Sequence, residues 1–135
     1  MSLVFLLACV PQTLLQSVEV SGTIDGGSDG VLYGEVHHAR SGEGNLSYPG
    51  GLIEDFPVDD DGTFWLEVMV PIEEGAGLAV YAWEDVDGDG ALCGLEQSDE
   101  FAGADVSETL SDELVFAVTL TEACAGPEVL IAEAD

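Results

Sequence analysis

The alternation of Phe64, Leu66, Val68 and Val70 with Trp65, Glu67 and Met69 constrains this chain more than any other stretch. A β-strand sends successive side chains to opposite faces, so an apolar period of two fits a half-buried strand and no helix. The same period runs through Val18, Val20, Gly22 and Ile24, with Glu19, Ser21, Thr23 and Asp25 between them. It returns in Leu114, Phe116, Val118 and Leu120. Further strands are expected at Val31–Ala39, at Leu78–Glu84 and, less regularly patterned, at Phe101–Val106. A short edge strand is expected at Leu52–Val58, ending at Pro57. Turn chemistry separates these segments: Gly26–Gly27–Ser28–Asp29–Gly30, the hairpin Asp59–Asp60–Asp61–Gly62, and the break Pro71–Gly77. Arg40–Pro49 reads as a glycine- and serine-rich loop, and Ala125–Asp135 as a loose acidic tail. Short strands at regular spacing, without an amphipathic helix, predict an all-β fold. The expected architecture is one Ig-like or prealbumin-like β-sandwich of about seven antiparallel strands over residues 18–124.

The surface of such a sandwich has to absorb an extreme charge. One Lys or Arg stands against 28 Asp and Glu, a formal net charge of −27, yet 47% of residues are hydrophobic. That apolar share is too high for a disordered acidic tail, so the charge lies on the skin of a folded object. A surface of this sign repels nucleic acid and anionic headgroups and attracts cations. No nucleic-acid partner is expected. An almost lysine-free acidic shell also suits salty surroundings, where counterions screen the self-repulsion.

Chemistry concentrates in Ala82–Glu96, AWEDVDGDGALCGLE. Asp85, Asp87 and Asp89 alternate, Gly90 follows, and Glu96 completes the D-x-D-x-D-G-x5-E template of a calcium loop. A hard cation takes six to eight oxygens at about 2.3–2.6 Å, which a curled acidic loop can supply. The predicted Ca²⁺ ligands are Asp85, Asp87, Asp89, the carbonyl of Ala91 and a bidentate Glu96. Glycine-broken, β-branched flanks make this a strand-flanked loop, not a helical EF-hand. In that setting Asp99 or Glu100 can displace Glu96. The competing reading is an Asp-Gly turn that stays hydrated. Elsewhere, Asp59, Asp60 and Asp61 are explained more cheaply by a hairpin turn than by a second cation. His37 and His38 face opposite sides of a strand, so one histidine with Glu35 leaves a tetrahedral zinc short of ligands. Trp65, Tyr81 and Trp83 read as core residues. No nucleophile elbow, phosphate loop or dinucleotide fingerprint occurs, and no catalytic residue is expected.

The first residues, Met1–Ala8, form a short apolar run, and Leu6–Leu7–Ala8–Cys9 resembles a bacterial lipobox. The resemblance implies that residues 1–8 are a signal peptide and that Cys9 is the lipidated first residue of the mature chain. Residues 9–17 would then tether the domain to a membrane, on the periplasmic or cell-surface side. The competing reading is a buried first strand with a core cysteine. With Cys9 lipidated, Cys93 and Cys124 remain as an even pair in an oxidising compartment, which predicts a disulfide between them.

Three motifs recur in a familiar order: Val20–Ser21–Gly22–Thr23–Ile24, then Val58–Asp59–Asp60–Asp61–Gly62–Thr63–Phe64–Trp65–Leu66, then Leu78–Ala79–Val80–Tyr81–Ala82–Trp83. In this the chain resembles transthyretin-like domains, including the carboxypeptidase-regulatory-like group, across most of Val18–Leu120. The acidic loop after Trp83 is an insertion into that pattern. The resemblance implies a prealbumin-like sandwich acting as a non-catalytic accessory or binding module. The functional expectation is therefore a calcium-binding lipoprotein module that scaffolds or binds an envelope protein or polysaccharide. The alternative is a carbohydrate-active enzyme or subunit using its acidic loops.

Overall fold

The computed structural model describes residues 14–28, 30–41, 47–72, 76–93 and 100–133. Cys9, the expected signal segment, Glu96 and Asp99 lie outside the described residues. Among the described residues eight strands form, β1 Leu15–Asp25, β2 Val31–Ser41, β3 Ser47–Pro57, β4 Thr63–Pro71, β5 Ala76–Asp85, β6 Phe101–Ser107, β7 Glu113–Thr119 and the two-residue β8 Glu122–Ala123. A short helix, α1, covers Pro127–Glu133. The strands make a three-stranded sheet, β4-β1-β7, and a five-stranded sheet, β3-β2-β5-β6-β8. This is the predicted all-β sandwich, with one strand more than expected.

Period-two patterning sets the core. Val18, Val20 and Ile24 of β1, Phe64, Leu66, Val68 and Val70 of β4, and Phe116 and Val118 of β7 are buried on the inner face of the smaller sheet. They meet Val36, Phe56, Leu78, Val80 and Ala82 from the larger one in a single apolar cluster. At about 25 cal/mol per Å² of apolar surface removed from water, this cluster dominates the stability of the fold. Gly22 allows the central strand of the small sheet to fit. A Cβ at that position would collide with the backbone carbonyl of Phe116 on β7.

Four expectations need correction. The strands are not all antiparallel, because β1 pairs antiparallel with β4 but parallel with β7, Val20 lying opposite Leu114. Alternation fixes which face a side chain takes and leaves strand direction open. The described residues of the segment read as a loop from Arg40 to Pro49 are strand: β2 runs to Ser41 and β3 begins at Ser47. Register shifts opposite Val36/His37 and His38/Ala39 put extra residues into β3. Such bulges and the prolines Pro49 and Pro57 hid its alternation, and both features suit an edge strand. The acidic tail is not loose. Leu130 and Ile131 of α1 are buried against the outer face of the larger sheet, over Tyr81, Trp83 and Ala79. The tyrosine hydroxyl fixes the approach to the helix by donating to the Ala125 carbonyl at 2.8 Å. Finally, Trp65 is 61% exposed, whereas Tyr81 and Trp83 are buried as expected.

Candidate metal centre

Strand β5 is buried on both faces, one against the sandwich core and one beneath α1, so its end is a rigid platform. Asp85 is its last residue and is itself buried. Beyond it the chain curls through Val86–Gly90. Gly88 and Gly90 both sit at positive φ, 75° and 76°, a conformation that costs glycine little and other residues more. These two glycines turn the backbone amides inward. Gly88 N–H donates to Asp85 Oδ1 at 2.9 Å and Gly90 N–H to Asp85 Oδ2 at 2.8 Å. Further along, Ala91 N–H donates to Asp89 Oδ1 at 2.9 Å.

The fourth carboxylate arrives from the far end of the connection. Glu100, immediately before β6, is fully buried. Its Oε2 accepts from Val86 N–H at 2.6 Å and its Oε1 from Cys93 N–H at 2.7 Å. A buried charge is tolerable only when hydrogen-bonded or paired, and these amides satisfy it from the loop itself. Asp85, Asp87, Asp89 and Glu100 each bring a carboxylate oxygen within 4.8 Å of the others, a grouping that could hold a metal ion. Among the described residues it is the only such convergence of three or more metal-ligating side chains. Three of the five predicted ligands are therefore brought together. Ala91 follows in the same loop, and Glu96 lies outside the described residues. Glu100 takes the fourth corner as one of the two alternatives to Glu96. The only sequence signal for it was its acidity near the start of the next strand.

Electrostatics in the cluster are uneven. For Asp87, loss of solvent, followed by hydrogen bonding and charge from Asp89 and Asp85, pushes the carboxyl up to about 6. For Asp85, loss of solvent opposes ionisation, but hydrogen bonds from Gly90, Asp87, Gly88 and Glu100 outweigh it and hold the carboxyl below its ordinary value. Adjacent carboxylates that cannot all ionise freely are what a cation relieves.

The disulfide predicted between Cys93 and Cys124 is present, with Cα atoms 5.5 Å apart. It fastens the end of the acidic loop to the residue after β8. Cys93 and Cys124 are the only non-glycine residues at positive φ among those described, at 50° and 57°. Each is held there through Glu100: Cys93 N–H by the side chain, and Cys124 N–H by the backbone carbonyl at 2.9 Å. Carboxylate, bridge and loop thus form one connected unit.

No protein-family model, curated protein or solved structure matches the chain. The site has to be judged on its own geometry.

The remaining candidates resolve simply. Asp59–Gly62 is a tight turn, with Gly62 N–H donating to the Asp59 carbonyl at 2.8 Å and Asp61 accepting from the Thr63 hydroxyl at 2.6 Å. It is not the expected hairpin, because it carries the chain from β3 in the larger sheet to β4 in the smaller one. His37 is buried and shares a 2.7 Å hydrogen bond with Glu35. At this same end of the sandwich, beside Asp85, buried Glu84 accepts from the backbone N–H groups of Ser28 and Gly30, tying down the β1–β2 turn. A cleft of about 480 Å³ opens there, lined by Asp25, Asp59, Asp60 and Asp61.

Proposed function

We propose that Asp85, Asp87, Asp89 and Glu100 hold one Ca²⁺, in a non-catalytic module whose task is to bind or scaffold another component outside the cytoplasm. One observation carries the metal reading: four carboxylates from both ends of one connection converge on a loop turned by two left-handed glycines. All-oxygen donors of this charge suit a hard divalent cation, and a flexible exposed rim of Asp87 and Asp89 suits the larger calcium better than magnesium, which demands near-ideal octahedral geometry. Calcium would neutralise a crowd of carboxylates and fix the β5–β6 connection.

The setting follows from covalent chemistry. A disulfide persists in oxidising compartments. Together with the lipobox-like Leu6–Leu7–Ala8–Cys9, the Cys93–Cys124 bridge supports an exported chain anchored through lipid on Cys9, and a place at the cell envelope. The transthyretin-like motifs point the same way, toward an accessory module without catalysis.

The deciding experiment is thermal melting in calcium, in magnesium and in chelator. A ion bound only by the folded state raises stability by mass action, by about 2.7 kcal/mol at a hundredfold excess over Kd. The expected result is a melting temperature that rises with calcium in wild type and is insensitive to it in Asp87→Ala. Identical melting of wild type in calcium and chelator refutes the assignment.

A further inference from the structure

The two outer faces of the sandwich are finished differently. The larger sheet is roofed by α1, which buries Tyr81, Trp83 and Ala79. The smaller sheet has no such cover among the described residues. Its outer face shows Trp65 at 61%, Met69 at 53% and Val115 at 80% exposure. Register places these side chains in rows. Trp65, Ser21 and Val115 lie side by side across the three strands, and two residues along, so do Glu67, Glu19 and Glu113. Met69 and Ser17 form the next pair.

The glutamate row is costly. Like charges directly opposite on neighbouring strands destabilise a sheet. Strands stand about 4.8 Å apart, so three carboxylates crowd into roughly 10 Å. The Ser17 hydroxyl donates to Glu67 at 2.7 Å, but that supplies no charge. The chain has a single Lys or Arg, Arg40, on β2 of the other sheet, so the strands that carry the row have no cation of their own.

From this we infer that the outer face of β4-β1-β7 docks a basic polypeptide segment. The partner's chemistry follows from the mixture of side chains. Arginine and lysine present an apolar stem with a cationic head, and an arginine can lie flat over an exposed tryptophan. In an extended segment, alternate residues repeat about every 6.8 Å, which is also the separation of the glutamate row from the Trp65 row. Heads pair with Glu67, Glu19 and Glu113 while stems cover Trp65, Val115 and Met69. A second copy of this chain is the wrong partner, since it brings a net charge of −27 and one cation. The inference deepens the binding role proposed above by naming the partner's chemistry. It does not depend on the metal, whose proposed site is on the β5–β6 connection of the other sheet.

The test is titration of the full chain with a fluorescently labelled alternating arginine–alanine peptide at physiological salt, once in calcium and once in chelator. A general attraction to any polycation is separated by two triple variants of equal charge. Glu19→Gln/Glu67→Gln/Glu113→Gln removes the row; Glu54→Gln/Asp55→Asn/Asp60→Asn removes three exposed carboxylates from elsewhere. Loss of the row should weaken binding at least about tenfold, because close charge pairs carry the contact. The control should change it less than about twofold, because distant exposed charges are screened. Trp65→Ala should weaken it several-fold, and melting curves in chelator should show all variants folded. Equal weakening by the two triple variants, or no effect of Trp65→Ala, overturns the inference. So does binding of a neutral oligosaccharide to this face with the row removed, or calcium-dependent self-association lost in Trp65→Ala. Peptide binding in chelator together with an absent calcium melt would sink the metal reading alone.

Discussion

Glu100 carries more of the candidate metal centre than its place in the chain suggests. It answers the amides of Val86 and Cys93 with its side chain and that of Cys124 with its carbonyl, all from full burial. Glu100→Ala would leave the part-buried N–H groups of Val86 and Cys93 without their acceptor, at no more than about 1–3 kcal/mol each and less where water reaches them. Urea unfolding in chelator should therefore show a loss even without metal, whereas exposed Asp89→Ala should cost little under the same conditions. Asp87 governs the pH response. Its carboxyl, raised to about 6, gives the metal-free fold stability that is complete below the ordinary carboxylate range and fades as pH rises through about 6. Calcium must displace that proton. Affinity should thus climb with pH up to about 6 and level off above it, with a slope on the acid side of at most about tenfold per unit for one proton per ion. Calorimetric titration on both sides of pH 6 checks this, and an affinity falling with pH would contradict it.

The acidic loop, the disulfide and the short β8 work together as an element. Joining Cys93 to Cys124, with a sequence separation of 31, is worth roughly 3–4 kcal/mol in the chain-entropy model. Cys93→Ser/Cys124→Ser should lose stability of that order in denaturant, and should also bind calcium more weakly than wild type, since the loop end is no longer fastened. Unchanged calcium affinity would show that the bridge serves the fold alone. Much of this element was legible beforehand. The D-x-D-x-D-G spacing located Asp85, Asp87 and Asp89, and the count of cysteines left after Cys9 paired the right two. Glu100 was readable only as an alternative, because a ligand eleven residues beyond Asp89 is placed by the length of the intervening connection and by strand β6, not by a local motif. The strands with clean alternation, β1, β4 and β7, were read from pattern alone. Bulges and Pro49 concealed the first half of β3, so that only its later part, expected as an edge strand from Leu52, was read. Helix α1 is too short for a helical period to stand out, and its Leu130 and Ile131 are held by Tyr81 and Trp83, contacts that no window along the chain contains.

The molecule as a whole lives with its own field. A net charge of −27 with almost no internal cation favours expansion, and salt shortens the range of that repulsion from about 10 Å at 0.1 M to about 3 Å at 1 M. Melting in chelator should therefore shift upward as sodium chloride is raised, by about 1 kcal/mol or roughly 3–6 °C for a domain of this size. Sodium chloride leaving the melting temperature fixed would mean the charges are already paired in ways the single arginine does not supply. The parallel pairing of β1 with β7 has a different consequence, one of timing. Glu19 stands opposite Glu113, so the first strand's second neighbour is made 94 residues later. A chain emerging amino end first from a ribosome has β1 and β4 available without β7 until the closing strand is out. Such a long-range closure is slow and all-or-none in character. The smaller sheet therefore closes only after β7 has been made.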